Sequence, residues 1–155
     1  MSDLPTEIGD GESIVRAIKT PYHLNKKKTA LHPAAFKPKA GTDDLSVMRL
    51  DYLGNNACKD KAVEIAGAGY VGLGVIRASS IRGAGSDVFD SREEFWGHAH
   101  ISHGIVIQPN EPLSAEDNAW FTERLKELVK NTTYYPDPVP AAAGWNGPPL
   151  QPPAA

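Results

Sequence analysis

The chain has 155 residues, 41% of them hydrophobic and 23% charged, which is typical of a globular protein with a single domain. Its apolar runs are far shorter than the roughly 18 residues of a membrane-spanning helix, and the four acids among the first thirteen residues argue against a signal peptide. The single cysteine cannot form an internal disulfide, so we expect a cytoplasmic protein with no membrane partner.

The net charge of −3 conceals a strong segregation of charge along the chain. Between residues 13 and 42 there are seven basic residues and no acidic one, so all 19 acids lie elsewhere. Such a segment can attract an anionic partner, which would be nucleic acid, a nucleotide or an acidic protein surface. The alternative is that Lys26, Lys27 and Lys28 form a solvated turn and the other positive charges lie on different faces.

Composition divides the chain into three parts. Residues 1–11 are polar and without periodicity, which predicts a disordered N-terminus. Residues 12–135 form the folded body. Residues 136–155 contain seven of the thirteen prolines, which predicts a Pro/Ala-rich flexible tail.

Hydrophobic periodicity and turn residues predict the elements of the body in chain order. They are a strand at 13–19, a turn at 25–28, a single helical turn or irregular segment at 31–36, a strand or helix at 45–50, a helix at 57–66, a strand at 70–78, a turn at 83–86, a strand at 100–107, and a helix that Ser114 caps and that ends near Lys130. We therefore expect an α+β fold in a single domain, with two or three helices on one face of a mostly antiparallel sheet.

The segment from His98 to His103 holds three of the five histidines. On a strand, His98 and His100 would share a face and could bind one metal ion together with Asp87 or Asp90, or with His103 if the strand bulges. A divalent metal such as zinc would suit a hydrolase or nuclease. Alternatively, His98 acts without metal, as a general base or as a hydrogen-bond donor to a phosphate, or the histidines are structural.

Arginines on predicted strands suggest a second kind of site. If Arg16 and Arg77 lie on the same face of the sheet as His98, they form an anion-binding pocket with guanidinium donors. The basic turn at 26–28 would add to its positive field. The other interpretation is that these arginines are edge charges opposite acidic side chains.

One familiar motif is rejected. Residues 67–72 spell G-x-G-x-x-G, the fingerprint of dinucleotide binding. That fingerprint requires a strand before the glycines and a helix after them, whereas here the predicted order is the reverse.

Several short motifs occur in a recognisable order: Arg16 on the first strand, Ala34–Pro38, Leu45–Val47, and His98 followed by Ala99. In these features, residues 14–107 resemble a group of small uncharacterised bacterial proteins. The resemblance implies a bacterial origin and gives His98 more weight than its neighbouring histidines. It implies no activity.

Three functional hypotheses follow. The first is an accessory or binding protein that recognises an anionic ligand or partner through its basic N-terminal segment. The second is a metal-dependent hydrolase or nuclease that uses His98 and His100. The third is a structural or scaffolding subunit of a protein complex. The sequence leaves open whether the protein is an enzyme and in which oligomeric state it acts.

Overall fold

A computed structural model describes residues 3–154, and within this range the chain forms six strands and three α-helices. The strands are β1 (Ser13–Lys19), β2 (Leu45–Arg49), β3 (Tyr70–Arg77), β4 (Asp87–Asp90), β5 (His98–Ser102) and β6 (Thr132–Pro136). The helices are α1 (Leu50–Ala66), α2 (Ala78–Gly83) and α3 (Ala115–Lys130), and a 3₁₀ turn covers Pro33–Phe36. All paired strands are antiparallel, in the order β4-β5-β2-β1-β3-β6, so the predicted α+β fold is confirmed.

Helices cover both faces of the sheet. On β1, Ile14 and Ile18 belong to the core that α3 completes, whereas Val15 and Ala17 belong to the core that α1 completes. We call these two sides the α3 face and the α1 face. The prediction of helices on one face is therefore wrong, because both alternating sets of β1 side chains are apolar and each requires cover.

The elements with the clearest local signals lie where the sequence places them. β1 has the predicted bounds, and β3 ends one residue before its prediction. α3 begins after Ser114, whose side chain accepts a hydrogen bond from the backbone N–H of Asp117 at 3.1 Å. The N-cap expected from the sequence is thus present.

The strand predicted at 100–107 is displaced. β5 begins at His98 and ends at Ser102, and the chain then turns at Gly104, whose φ of +75° favours glycine. Ile105 and Ile107 pack on the α3-face core from a loop rather than from a strand. An apolar run alone does not distinguish these two situations.

α1 is longer than predicted, and the backbone at Gly54 (φ +82°) interrupts it after its first turn. Asn56 lies within α1, after this interruption. Its side-chain oxygen accepts a hydrogen bond from the backbone N–H of Trp145 at 2.9 Å. α1 therefore anchors the C-terminal segment of the chain.

The described residues of both terminal segments lie against the domain. Leu4 and Ile8 are buried near the N-terminus, and Trp145 and Leu150 complete the α1-face core from the C-terminal side. Their expected flexibility stays a prediction, but these side chains belong to the core. Of the helices within residues 3–154, none has the length and apolar character needed to cross a membrane.

Candidate anion-binding site

The two central strands separate at one end of the sheet. β1 and β2 are paired only at Ile14–Arg49 and Val15–Met48, in the part of the chain that the structure describes. Continuing this register would place Ala17 opposite Ser46, but the strands have diverged there. A cavity of about 800 Å³ opens at this separation.

The lining of this cavity comes from β1, the loop before β2, β2 itself and α1. Its charged and titratable members are Arg16, Lys19, His23, Lys37, Lys39 and Asp44; its other members are Tyr22, Ala34, Pro38, Thr42, Leu45, Ser46 and Ile65. Four of the seven basic residues of the 13–42 segment thus meet around one space, together with a single carboxylate.

Arg16 is the most deeply placed of these cations. The residue is only 9% exposed. Its Nε donates to the carbonyl oxygen of Ala35 at 3.0 Å, and its Nη1 donates to that of Ser46 at 3.1 Å. Burial lowers the pKa of the Arg16 guanidinium to about 10, so the group still carries its charge at neutral pH.

Within residues 3–154, Arg16 has no carboxylate within 4 Å and its Nη2 forms no hydrogen bond. The other deeply buried cations are neutralised. Arg49 contacts Glu12 and Asp90, each at 2.6 Å. Lys59 lies 3.1 Å from Asp137. A buried cation without a counter-ion is costly. Among the buried arginines and lysines of the described residues, only Arg16 lacks such a partner, and it lines a cavity.

His23 lies beside Arg16 and is buried. Its Nδ1 accepts a hydrogen bond from the backbone N–H of Lys19 at 3.1 Å. Burial, with the positive charges of Arg16 and Lys19, lowers the pKa of His23 to about 4. His23 is therefore neutral at physiological pH, and the cavity's positive charge comes from Arg16 and the three lysines.

The remaining ligand-binding residues predicted from the sequence lie outside this cavity. Lys26, Lys27 and Lys28 form an exposed turn, which was the alternative considered for them. Arg77 pairs with Ser13, at the opposite end of β1 from the cavity. The predicted pocket of Arg16, Arg77 and His98 does not form, because strand alternation directs Arg77 to the face opposite Arg16.

His98 is on the α1 face, since it pairs with Met48 of that core, and it is buried. Its Nδ1 lies 2.6 Å from the Ser91 hydroxyl, and its ring packs edge-on against Phe95. Burial lowers the pKa of His98. These contacts make His98 a packed, neutral side chain away from the cavity.

The metal ligands predicted from the sequence have other partners. Asp90 contacts Arg49 and Arg92, and Asp87 contacts Arg82. His100 shares the face of His98, as strand alternation requires, but its Nε2 lies 3.8 Å from Asp44.

Across residues 3–154, no three His, Cys, Asp or Glu side chains are grouped so that they could hold a metal ion. The zinc hypothesis, with His98, His100, Asp87 and Asp90 as ligands, therefore gains no geometric support. The rejected glycine motif at 67–72 follows α1 and continues into β3, so a helix precedes it and a strand follows, as the rejection assumed.

Most of the residues that line the cavity carry no sequence pattern that predicts a site. Lys37, Lys39 and Asp44 lie in an irregular loop, and Tyr22 follows the end of β1, so no periodic pattern connects them. The absence of acids between residues 13 and 42 was the one available signal. Comparisons with known protein families, with curated proteins and with solved structures each find no match.

Proposed function

We propose that the protein binds a small anionic ligand in the cavity between β1 and β2. The observation that carries this proposal is the buried Arg16 guanidinium, which lines the cavity without a carboxylate partner among the described residues. A bound phosphate or carboxylate would act as its counter-ion. The proposal keeps the anionic ligand expected at the basic N-terminal segment and assigns it to this cavity.

The burial of Arg16 is costly without an anionic partner. Desolvating a guanidinium costs several kcal/mol unless an anion and hydrogen bonds compensate it. Two backbone carbonyl groups satisfy part of the Arg16 side chain, and an anion at Nη2 would supply the missing charge. Charge-assisted hydrogen bonds from arginine to phosphate or carboxylate are short and strong, and burial makes them stronger.

Three lysines support the same assignment. Lys19, Lys37 and Lys39 line the cavity and face a single carboxylate, that of Asp44. Lys37 and Lys39 are exposed and would attract the anion from solution, whereas Arg16 would hold it where salt screens it less. We expect moderate salt dependence, weaker than that of a protein that binds nucleic acid along many phosphates.

A macromolecular partner is supported less. The triplet at 26–28 is exposed but lies apart from the cavity, so it offers only surface charge. Recognition of nucleic acid or of a protein through this turn stays a prediction, as does a scaffolding role. The proposal assigns binding to the cavity and no reaction.

The test is isothermal titration calorimetry with inorganic pyrophosphate at fixed ionic strength. The wild type is expected to bind, and Arg16→Gln to bind at least about tenfold more weakly, a loss of about 1.4 kcal/mol. Arg77→Gln is the matched control, because Arg77 on β3 pairs with Ser13, at the end of β1 away from the cavity. Should Arg16→Gln fail to fold, the double variant Lys37→Gln/Lys39→Gln replaces it. Absent binding, or equal losses in the Arg16 and Arg77 variants, would contradict the proposal.

A further inference from the structure

We infer that the ligand of this cavity is a nucleotide, held by its phosphates on Arg16 and by its base on Tyr22; this inference rests on the proposed function. Arg16 and Tyr22 line the same cavity at different depths. Arg16 is 9% exposed, whereas Tyr22 is 72% exposed. The cavity therefore has a cationic interior and an aromatic rim.

A bare inorganic anion does not account for this lining. The cavity of about 800 Å³ is much larger than one phosphate, and apolar side chains form part of its wall, namely those of Ala34, Pro38, Leu45 and Ile65. Ligand pockets that combine an apolar wall with a few charged groups are typical of organic ligands. The anionic group is therefore one end of a larger molecule.

The number of charges indicates more than one phosphate. Arg16, Lys19, Lys37 and Lys39 are all cationic, and among the described residues that line the cavity only Asp44 is acidic. A ligand with two or three negative charges matches this excess better than a monocarboxylate does. Arginine offers a planar, forked set of donors to phosphate oxygens, and lysines add mobile point charges.

Tyr22 supplies the contact that a planar base requires. Its exposed ring follows β1 by three residues and lies beside the cavity. Stacking of a base on an aromatic side chain is favourable for every base, because each has a π face. A large aromatic residue so exposed next to a cationic cavity is explained by such a ligand.

A nucleotide ligand also accounts for Asp44, the single acid among the described residues of this lining. An exposed carboxylate accepts hydrogen bonds from hydroxyl and amino groups but repels phosphates. A nucleotide carries both kinds of donor, on its ribose and on its base. Asp44 would therefore receive the nucleoside part and keep the phosphates on the Arg16 side.

The test compares ADP with inorganic pyrophosphate, which has a similar charge but no nucleoside. Both are titrated into the full chain by calorimetry at fixed ionic strength, with EDTA present. ADP is expected to bind at least about tenfold more tightly than pyrophosphate. Tyr22→Ala should abolish this difference without weakening pyrophosphate, whereas Tyr22→Phe should preserve it. Trp120→Ala, which removes an exposed aromatic ring on α3, is the control and should change neither affinity.

Each other outcome overturns a defined statement. Equal binding of ADP and pyrophosphate, or an ADP preference that survives in Tyr22→Ala, overturns the nucleotide assignment and leaves the anion site in place. Binding of neither molecule overturns both. If a short single-stranded oligonucleotide binds far more tightly than ADP, the mononucleotide assignment is overturned and the ligand is a nucleic acid.

Discussion

The Arg16 guanidinium donates a hydrogen bond to the carbonyl oxygen of Ser46, at 3.1 Å, across the gap where β1 and β2 have lost their backbone pairing. A charged side chain thus bridges two central strands in place of part of the ladder. The bridge satisfies the carbonyl group but leaves the charge of Arg16 without a counter-ion among the described residues. This relationship leaves a cavity, rather than a continuous sheet, at this end of β1 and β2.

Anion binding at this gap should stabilise the folded chain. A ligand at about 100 times its Kd adds about 2.7 kcal/mol to the free energy of unfolding when it binds only the folded state. We expect saturating pyrophosphate to raise the wild-type Tm by several degrees and to raise that of Arg16→Gln much less. Differential scanning fluorimetry, with sodium chloride at equal ionic strength as the control, measures this. The same increase in both proteins would contradict the assignment.

Protonation of His23 should destabilise the protein in mild acid. Its pKa is lowered from 6.5 to about 4 in the folded state, so the unfolded chain takes up the proton first as pH falls. The contribution to stability is present above pH 6.5 and is lost between pH 6.5 and 4, and it amounts to about 3 kcal/mol.

The variant His23→Asn isolates this effect. The Asn side-chain oxygen can accept the Lys19 N–H that Nδ1 accepts, but it does not titrate. Urea unfolding between pH 7.5 and 4 should therefore give a shallower decline in the variant than in the wild type. Burial also lowers the pKa of His98 and His103, so some decline will remain. Parallel profiles of the two proteins would exclude His23 as a source.

Lys59 should be essential for stability. It is 1% exposed, contacts Asp137 at 3.1 Å and donates to the carbonyl oxygen of Gly144 at 2.9 Å. Removing one partner of a buried ion pair leaves the other charge uncompensated and typically costs about 3–5 kcal/mol. Lys59→Met should lose about this much in urea unfolding. Lys126→Met, at a lysine whose side chain is 58% exposed, should change the free energy of unfolding by less than about 0.5 kcal/mol. If Lys59→Met and Lys126→Met lower the free energy of unfolding by similarly small amounts, the buried ion pair contributes little to stability.

The C-terminal segment should behave as part of the fold. A chain that ends at Pro136 loses Asp137 and the buried side chains of Trp145 and Leu150. Removing a single large core side chain typically costs about 2–5 kcal/mol, so the truncated chain should be strongly destabilised or unfolded. Removal of residues 153–155 is the control, because it keeps these three side chains. Circular dichroism melting distinguishes the two cases, and equal Tm values would contradict the role of the segment.

Local signals explain which elements could be predicted. β1 and α3 each carry a pattern of their own: a run of apolar residues before Pro21 in one, and a capped, periodic stripe in the other. β4 and β6 are only four and five residues long and were missed, because so short a segment contains too little periodicity. The apolar run at 105–107 resembles a strand but belongs to a loop, so β5 was predicted to extend beyond Ser102.

The candidate site was predictable only in part. Arg16 was predicted to belong to an anion pocket and does line a cavity, but its expected partners, Arg77 and His98, lie outside that cavity. Lys37 and Lys39 reach the cavity because the loop after the 3₁₀ turn crosses the end of the sheet, and this path depends on tertiary packing. His98 attracted attention as part of a dense motif, yet its histidine ring is used to fill the α1-face core.

The most direct test of the central claim is a ¹H–¹⁵N NMR titration of the labelled chain with pyrophosphate. If the anion binds between β1 and β2, the largest saturable shifts will be at the backbone amides of Arg16, Lys19, Lys37 and Ser46. Shifts confined to the exposed turn at 26–28, or no saturable shifts at all, would contradict the account.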